Sequence, residues 1–280
     1  MSARVKVYAV VGAVAAAAAA SVVVLTAVTA DHLPKPRAGK PPYAADWTVP
    51  KPLAASVQAA IAAWPHGTLS RLEDLAAANP RSAFVHLHLG LARYWSRDDA
   101  EALAQWRAAK RVAPNTPSAI RADDLLHPEA PRGLPQFFPT FELGSTTVTA
   151  LAAAARRPDV RAKLAYGVAL QRLELPVSAE RQFAAAAALA PNDPEAQVAA
   201  AVGRFDKDRP ALAFSRLGPL TSRFPHSQTV RFHLGLLSIW IRDFADARRQ
   251  LRLAVKDGPK TRFAGEARTL LKSLGSVGTR

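Results

Sequence analysis

Beyond Pro52 the chain is a succession of apolar runs, rich in alanine and leucine with arginine interspersed, that prolines break at regular places. Pro80, Pro114, Pro191, Pro225 and Pro259 stand 34, 77, 34 and 34 residues apart, and 77 is two periods of 34 plus 9. A fixed period of this length signals stacked supersecondary units. Alignment on the prolines puts like residues in like columns. Gly90, Gly167, Ala201 and Gly235 stand 24 residues before the proline, and Ala102, Ala179, Ala213 and Ala247 stand 12 before it. Trp106, Phe183, Leu217 and Leu251 stand 8 before it, and Ala109, Ala186, Leu220 and Ala254 stand 5 before it. Small residues recur where helices must approach closely, and a large one recurs between them. The stretches HLGLARYWSRDDAEALAQ from His88 and HLGLLSIWIRDFADARRQ from His233 share their wording at an offset of 145, four periods plus the same 9.

Each unit reads as two antiparallel helices of about 12 to 14 residues, too short to stand alone in water and stable only when stacked on neighbours. Asp98 or Asp99, Ser178 and Asp243 are placed to accept from the free amides that open each second helix, and Pro210 suits a first helical position. The expected fold is all-α.

In these columns the chain resembles the tetratricopeptide repeat family, in a membrane-anchored, bacterial-type form, with units at 83–116, 160–193, 194–227 and 228–261. The resemblance implies a right-handed helical solenoid spanning 53–274, with a degenerate unit from about Val49 to Ser82, a capping helix from Arg262 to Leu274 and a tail at 275–280. Two departures stand out: Arg93, Leu170, Arg204 and Ser238 occupy the place of a frequent family tyrosine, and Leu220 replaces a usual alanine. Family members commonly hold peptides in a concave groove lined by the first helix of each unit. Carried over, that lining includes Phe84, Leu87, Tyr94, Trp95, Arg161, Arg172, Phe232 and Trp240. The lysine and asparagine clamp that some members use on carboxyl-terminal peptides is missing, because aliphatic or aromatic residues stand in its places.

The extra 9 residues fall in an irregular unit at 117–159, whose two helices flank the loop HPEAPRGLPQFFPTFELG. Four prolines prevent a continuous helix there. Leu134, Phe137, Phe138 and Phe141 then have two readings: an exposed specificity loop, with Phe137 and Phe138 as partner contacts, or rings that fold back and seal the gap left by the irregular unit.

At the other end of the chain, a basic tail at 1–6 precedes Val7 to Ala30, which carries no charge. As a helix it is about 36 Å long, enough to cross a bilayer core. The segment reads as a single-pass signal anchor at 7–30, with the amino terminus inside and the repeats outside the cell membrane. Small residues at Ala27 to Ala30 leave open a cleaved signal, which gives a secreted or periplasmic form of the same body. Prolines 34, 36, 41, 42, 50 and 52 make 31–52 a stiff linker.

Composition narrows the function. The chain has 280 residues and no cysteine, which excludes disulfides, thiolate ligands and a cysteine nucleophile. None of the motifs HExxH, GxSxG or GxxxxGK[ST] is present. His86 and His88 point to different faces of a helix, and His88 and His233 share one repeat position, which fits a structural role better than a metal site. No catalytic residue, metal or cofactor is expected. A formal charge of +15, densest from Arg242 to Arg268, reads as a solvated helical face and next as attraction to an anionic lipid surface. With only Phe244 and Phe263 beside it and no reading motif it points away from nucleic acid, although a basic solenoid on the cytoplasmic side engaging nucleic acid is the third alternative. The expected partners are proteins or peptides, and the expected role is a non-catalytic, membrane-tethered scaffold in an envelope-associated assembly.

Overall fold

The computed structural model describes residues 38–275. They form thirteen α-helices and, among the described residues, no strand. The helices are α1 Lys51–Ala62, α2 Thr68–Ala78, α3 Ala83–Trp95, α4 Asp99–Val112, α5 Pro117–Leu126, α6 Val148–Ala154, α7 Val160–Arg172, α8 Pro176–Leu189, α9 Pro194–Val202, α10 Ala211–Arg223, α11 Gln228–Trp240, α12 Phe244–Asp257 and α13 Arg262–Gly275. The expected anchor at 7–30 lies outside the described residues, and no helix among those described is long and apolar enough to cross a membrane.

The chain divides into two compact units, where the repeat pattern alone suggested one array. Of the described residues, 38–133 with 173–176 form the first unit, and 134–172 with 177–275 form the second. The division falls inside the loop of the irregular unit. There Asp124 accepts from the Gly133 amide at 2.8 Å, and Gly133 has a φ of 75°, a left-handed turn that glycine adopts without strain.

In the first unit α1 packs on α2, α2 on α3, and α4 and α5 on α3 and on each other. Val57, Ile61, Leu72 and Val85 are buried among α1, α2 and α3, and Leu87, Trp106 and Ala109 among α3, α4 and α5. Each large apolar side chain so buried contributes about 1.5–3 kcal/mol. The second unit repeats the pattern through α9 on α10, α11 on α10 and α12, and α13 closing over α11 and α12.

The columns of the sequence acquire a steric meaning here. A Cβ placed on Gly90 would overlap the Trp106 ring, one on Gly167 would overlap the Phe183 ring, and one on Gly235 would lie 2.9 Å from Leu251 Cγ. The glycine column is therefore the recess that receives the large column, one pair per unit. In the unit with Ala201 the large residue is the smaller Leu217, and both are fully buried.

Helix starts follow the local chemistry. Ser82, Asp98, Thr116, Asp193 and Asp243 each accept from a backbone amide in the first turn they precede. Two expectations differ from the structure: Ser178 lies inside α8, because Pro176 already opens that helix, and Pro210 is the residue flanking α10 rather than its first. The reading of 31–52 as a stiff linker changes in its described part, since helix begins at Lys51 and Tyr43 and Val49 pack against the core of the first unit, while 31–37 lie outside the described residues.

Candidate functional site

His88 and His233, the shared histidines of the repeat, are both fully buried. Each ring lies one turn after a carbonyl on its own helix: His88 Nδ1 is 2.7 Å from Phe84 O, and His233 Nδ1 is 2.7 Å from Thr229 O. A carbonyl only accepts, so Nδ1 carries the proton and Nε2 is left as an acceptor. Burial pushes both histidines down from 6.5 to about 4, against the pull of those carbonyls, which keeps them neutral at ordinary pH.

What Nε2 accepts is a backbone amide of a segment that lies outside the helices. The Ala44 amide donates to His88 Nε2 at 3.0 Å, and the Phe138 amide donates to His233 Nε2 at 3.0 Å. The preceding aromatic stacks on the imidazole in both cases: Tyr43 on His88 at 5.3 Å and 29°, Phe137 on His233 at 5.2 Å and 25°. One residue further on, an arginine holds the carbonyl. Arg121 donates to Ala45 O, and Arg262 donates to Pro139 O at 2.7 Å.

The fourth residue is held by its side chain, with opposite polarity in the two units. Asp46 accepts from Ser118 N at 3.0 Å and from the Ser118 hydroxyl, and from its own neighbour Thr48 through amide and hydroxyl. Burial alone would raise the Asp46 carboxyl, but the hydrogen bonds from Ser118 and Thr48 outweigh it and hold it below the usual carboxylate value. Thr140, its counterpart, donates instead, through amide and hydroxyl, to the Glu195 carboxylate. Ser118 and Glu195 occupy the same place, the second residue of a helix opened by proline, Pro117 in α5 and Pro194 in α9.

Two proline-flanked straps, Tyr43–Asp46 and Phe137–Thr140, are thus gripped by one four-point arrangement. They differ in depth. Phe137 and Phe138 are 1% and 9% exposed and join the core of the second unit, where Phe137 also meets Phe183 at 5.5 Å and Phe138 meets Phe232 at 6.4 Å. Tyr43 and Ala44 are half-buried, Asp46 is buried, Ala45 and Thr48 are exposed, and Trp47 is 62% exposed. Beside the first strap opens a cleft of about 440 Å3 whose walls include Asp46, Val49, Leu53, Arg81 and Phe84.

The residues expected to line a partner groove divide between the units. Phe84 is buried between Tyr43 and His88, and Leu87 is buried against α4. Phe232 is buried and stacks on Phe263 at 4.7 Å, and Trp240 is buried beside Phe205. Tyr94 and Trp95 are half-buried and meet each other at 5.8 Å. Arg161 is exposed with its guanidinium over Phe141 at 4.6 Å, and Arg172 is half-buried with its pKa lowered by desolvation. Of the two readings of the Phe137 loop, the rings fold back. A ring as enclosed as Phe84, Phe137 or Phe232 offers no free surface to a partner.

Sequence reasoning did not find Tyr43, Ala44, Asp46, Ser118, Arg121, Thr140 or Arg262 as contacts, whereas Glu195 falls among the groove positions that the family resemblance implies. The shared HLG wording at His88 and His233 was the available signal, together with an aromatic inside each proline-flanked stretch. The chain matches no model of a known protein family and no curated protein.

Proposed function

We propose that this chain is a non-catalytic, membrane-tethered scaffold whose tetratricopeptide-like helical solenoid binds other proteins in an envelope-associated assembly. The observation that carries the reading is that, in each unit, a histidine on a helix holds a non-helical stretch of polypeptide by its backbone. Groove and ligand chemistry are present together, with the chain acting as its own ligand. Stacked helix pairs of a fixed 34-residue period support the solenoid. The uncharged stretch from Val7 to Ala30 supports the tether.

Membrane fractionation of the native protein, with intact-mass analysis and protease digestion from the outer side, tests this. A full-length, membrane-bound chain that is digested from outside is the expected result. A soluble chain beginning at Asp31 would replace the tether with a released form, and a membrane-bound chain protected from the protease would move the repeats to the cytoplasmic side.

A further inference from the structure

The four-point grip occurs twice, and its parts separate into those that read backbone and those that read side chains. Nε2 of the histidine reads the amide of the second residue and the arginine reads the carbonyl of the third, so any extended peptide satisfies them. The first and fourth residues carry the sequence. In the first unit, the first residue is a ring seated on His88 and edge-on to Phe84 at 6.0 Å, and the fourth is a carboxylate on Ser118. In the second unit, Glu195 replaces Ser118 and the fourth residue becomes a hydroxyl donor.

We propose that the His88 groove is a recognition site for extended peptides of the form aromatic–x–x–acidic, with Tyr43–Asp46 as its resident, exchangeable pseudo-ligand. The proposal rests on the reading of the repeat body as a peptide-binding scaffold and deepens it by naming the ligand class. Exchange belongs to the first groove and not the second. Phe137 and Phe138 are core residues whose removal opens the second unit, whereas in the first strap only Asp46 is buried, Tyr43 and Ala44 are half-buried at the edge of the core and Ala45 is exposed, and its ring, amide, carbonyl and carboxylate contacts are ones that an incoming peptide reproduces one for one. Ser118 is then the residue that sets specificity at the fourth position, because its amide and hydroxyl both point at the carboxylate. The resident strap competes at the high effective concentration of a tethered ligand, so an external peptide binds the unmodified chain more weakly than one whose strap is loosened.

The test uses the full-length chain in detergent and a fluorescent, end-blocked peptide of residues 42–47, Pro-Tyr-Ala-Ala-Asp-Trp. In the double variant Ala44→Pro, Asp46→Ala the strap loses its amide donor and its carboxylate, and saturable binding of the peptide is expected. A peptide with lysine in place of the aspartate should bind at least about tenfold more weakly, and adding Ser118→Ala should cost about tenfold. No saturable binding by a double variant that still melts cooperatively, or equal affinity for the lysine peptide, would overturn the proposal. Should the double variant not fold, the decision passes to the otherwise unmodified chain labelled through Trp47→Cys, its single cysteine. Excess aspartate peptide should shift the label's emission saturably and the lysine peptide should not; an unmoved emission overturns the proposal. Failure here together with success of the fractionation test leaves the scaffold reading intact and removes only the ligand class.

Discussion

Gly90 faces the indole of Trp106 so closely that no Cβ fits between them. Gly90→Ala and Gly167→Ala should each destabilise the protein by about 1–3 kcal/mol, the usual cost of overpacking, because a rigid ring blocks the new methyl. Gly235→Ala meets the branched end of Leu251 instead, which can yield, and glycine to alanine inside a helix gains about 1 kcal/mol. That variant should be within about 1 kcal/mol of the parent. Urea denaturation of the three variants checks the order.

Acid should weaken the fold through the two buried histidines, His88 and His233. Above pH 6.5 the imidazoles are neutral in both folded and unfolded chains, and stability is unaffected by them. Between pH 6.5 and about 4 the unfolded chain takes up protons that the buried rings refuse, so stability falls as pH falls, by about 2–3 kcal/mol per histidine at pH 4.5. Glu266, pushed up by burial to about 6 despite Arg262 nearby, works in the opposite direction between pH 6 and 4.5. His233→Asn should therefore shrink the loss between pH 7 and 4.5 by about 2–3 kcal/mol relative to the parent, measured by denaturant titration at the two pH values.

The two straps should respond unequally to loss of their rings. Phe137→Ala removes a fully buried ring from the second unit and should cost about 3–5 kcal/mol. Tyr43→Ala removes a half-buried one and should cost about 1–2 kcal/mol. Equal costs would mean that the first strap is as much a core element as the second, against its half-exposed setting.

Trp47 supplies the control. It is 62% exposed, so Trp47→Ser should leave stability within about 0.5 kcal/mol of the parent. A larger loss in thermal melts would reveal a packing role that its exposure denies.

The sequence made the helical body legible because its constraint is local and periodic. Ala102, Ala179, Ala213 and Ala247 recur at one register, and all are buried between helices. Asp98 and Asp243 announce helix starts through a contact three residues away. The straps obey neither rule. Ala44 engages His88 through a backbone amide, which every residue but proline possesses, so its side chain carries no trace of the contact. Phe138 and His233 are 95 residues apart, with no period to link them. The repeat columns lie on both sides of the irregular loop at which the chain divides into two units, so they carry no trace of that division.

The second strap also has a history during synthesis. Phe137 and Phe138 leave the ribosome long before their holders, and the last of these, Arg262, closes on Pro139 across 123 residues of chain. At ordinary rates of translation that interval is about 6–25 seconds. Over that interval the neighbours of the two rings are made in steps, Phe183 first, then Phe232 and His233, and Arg262 last. The grip on the second strap is therefore complete only once α13 has been made.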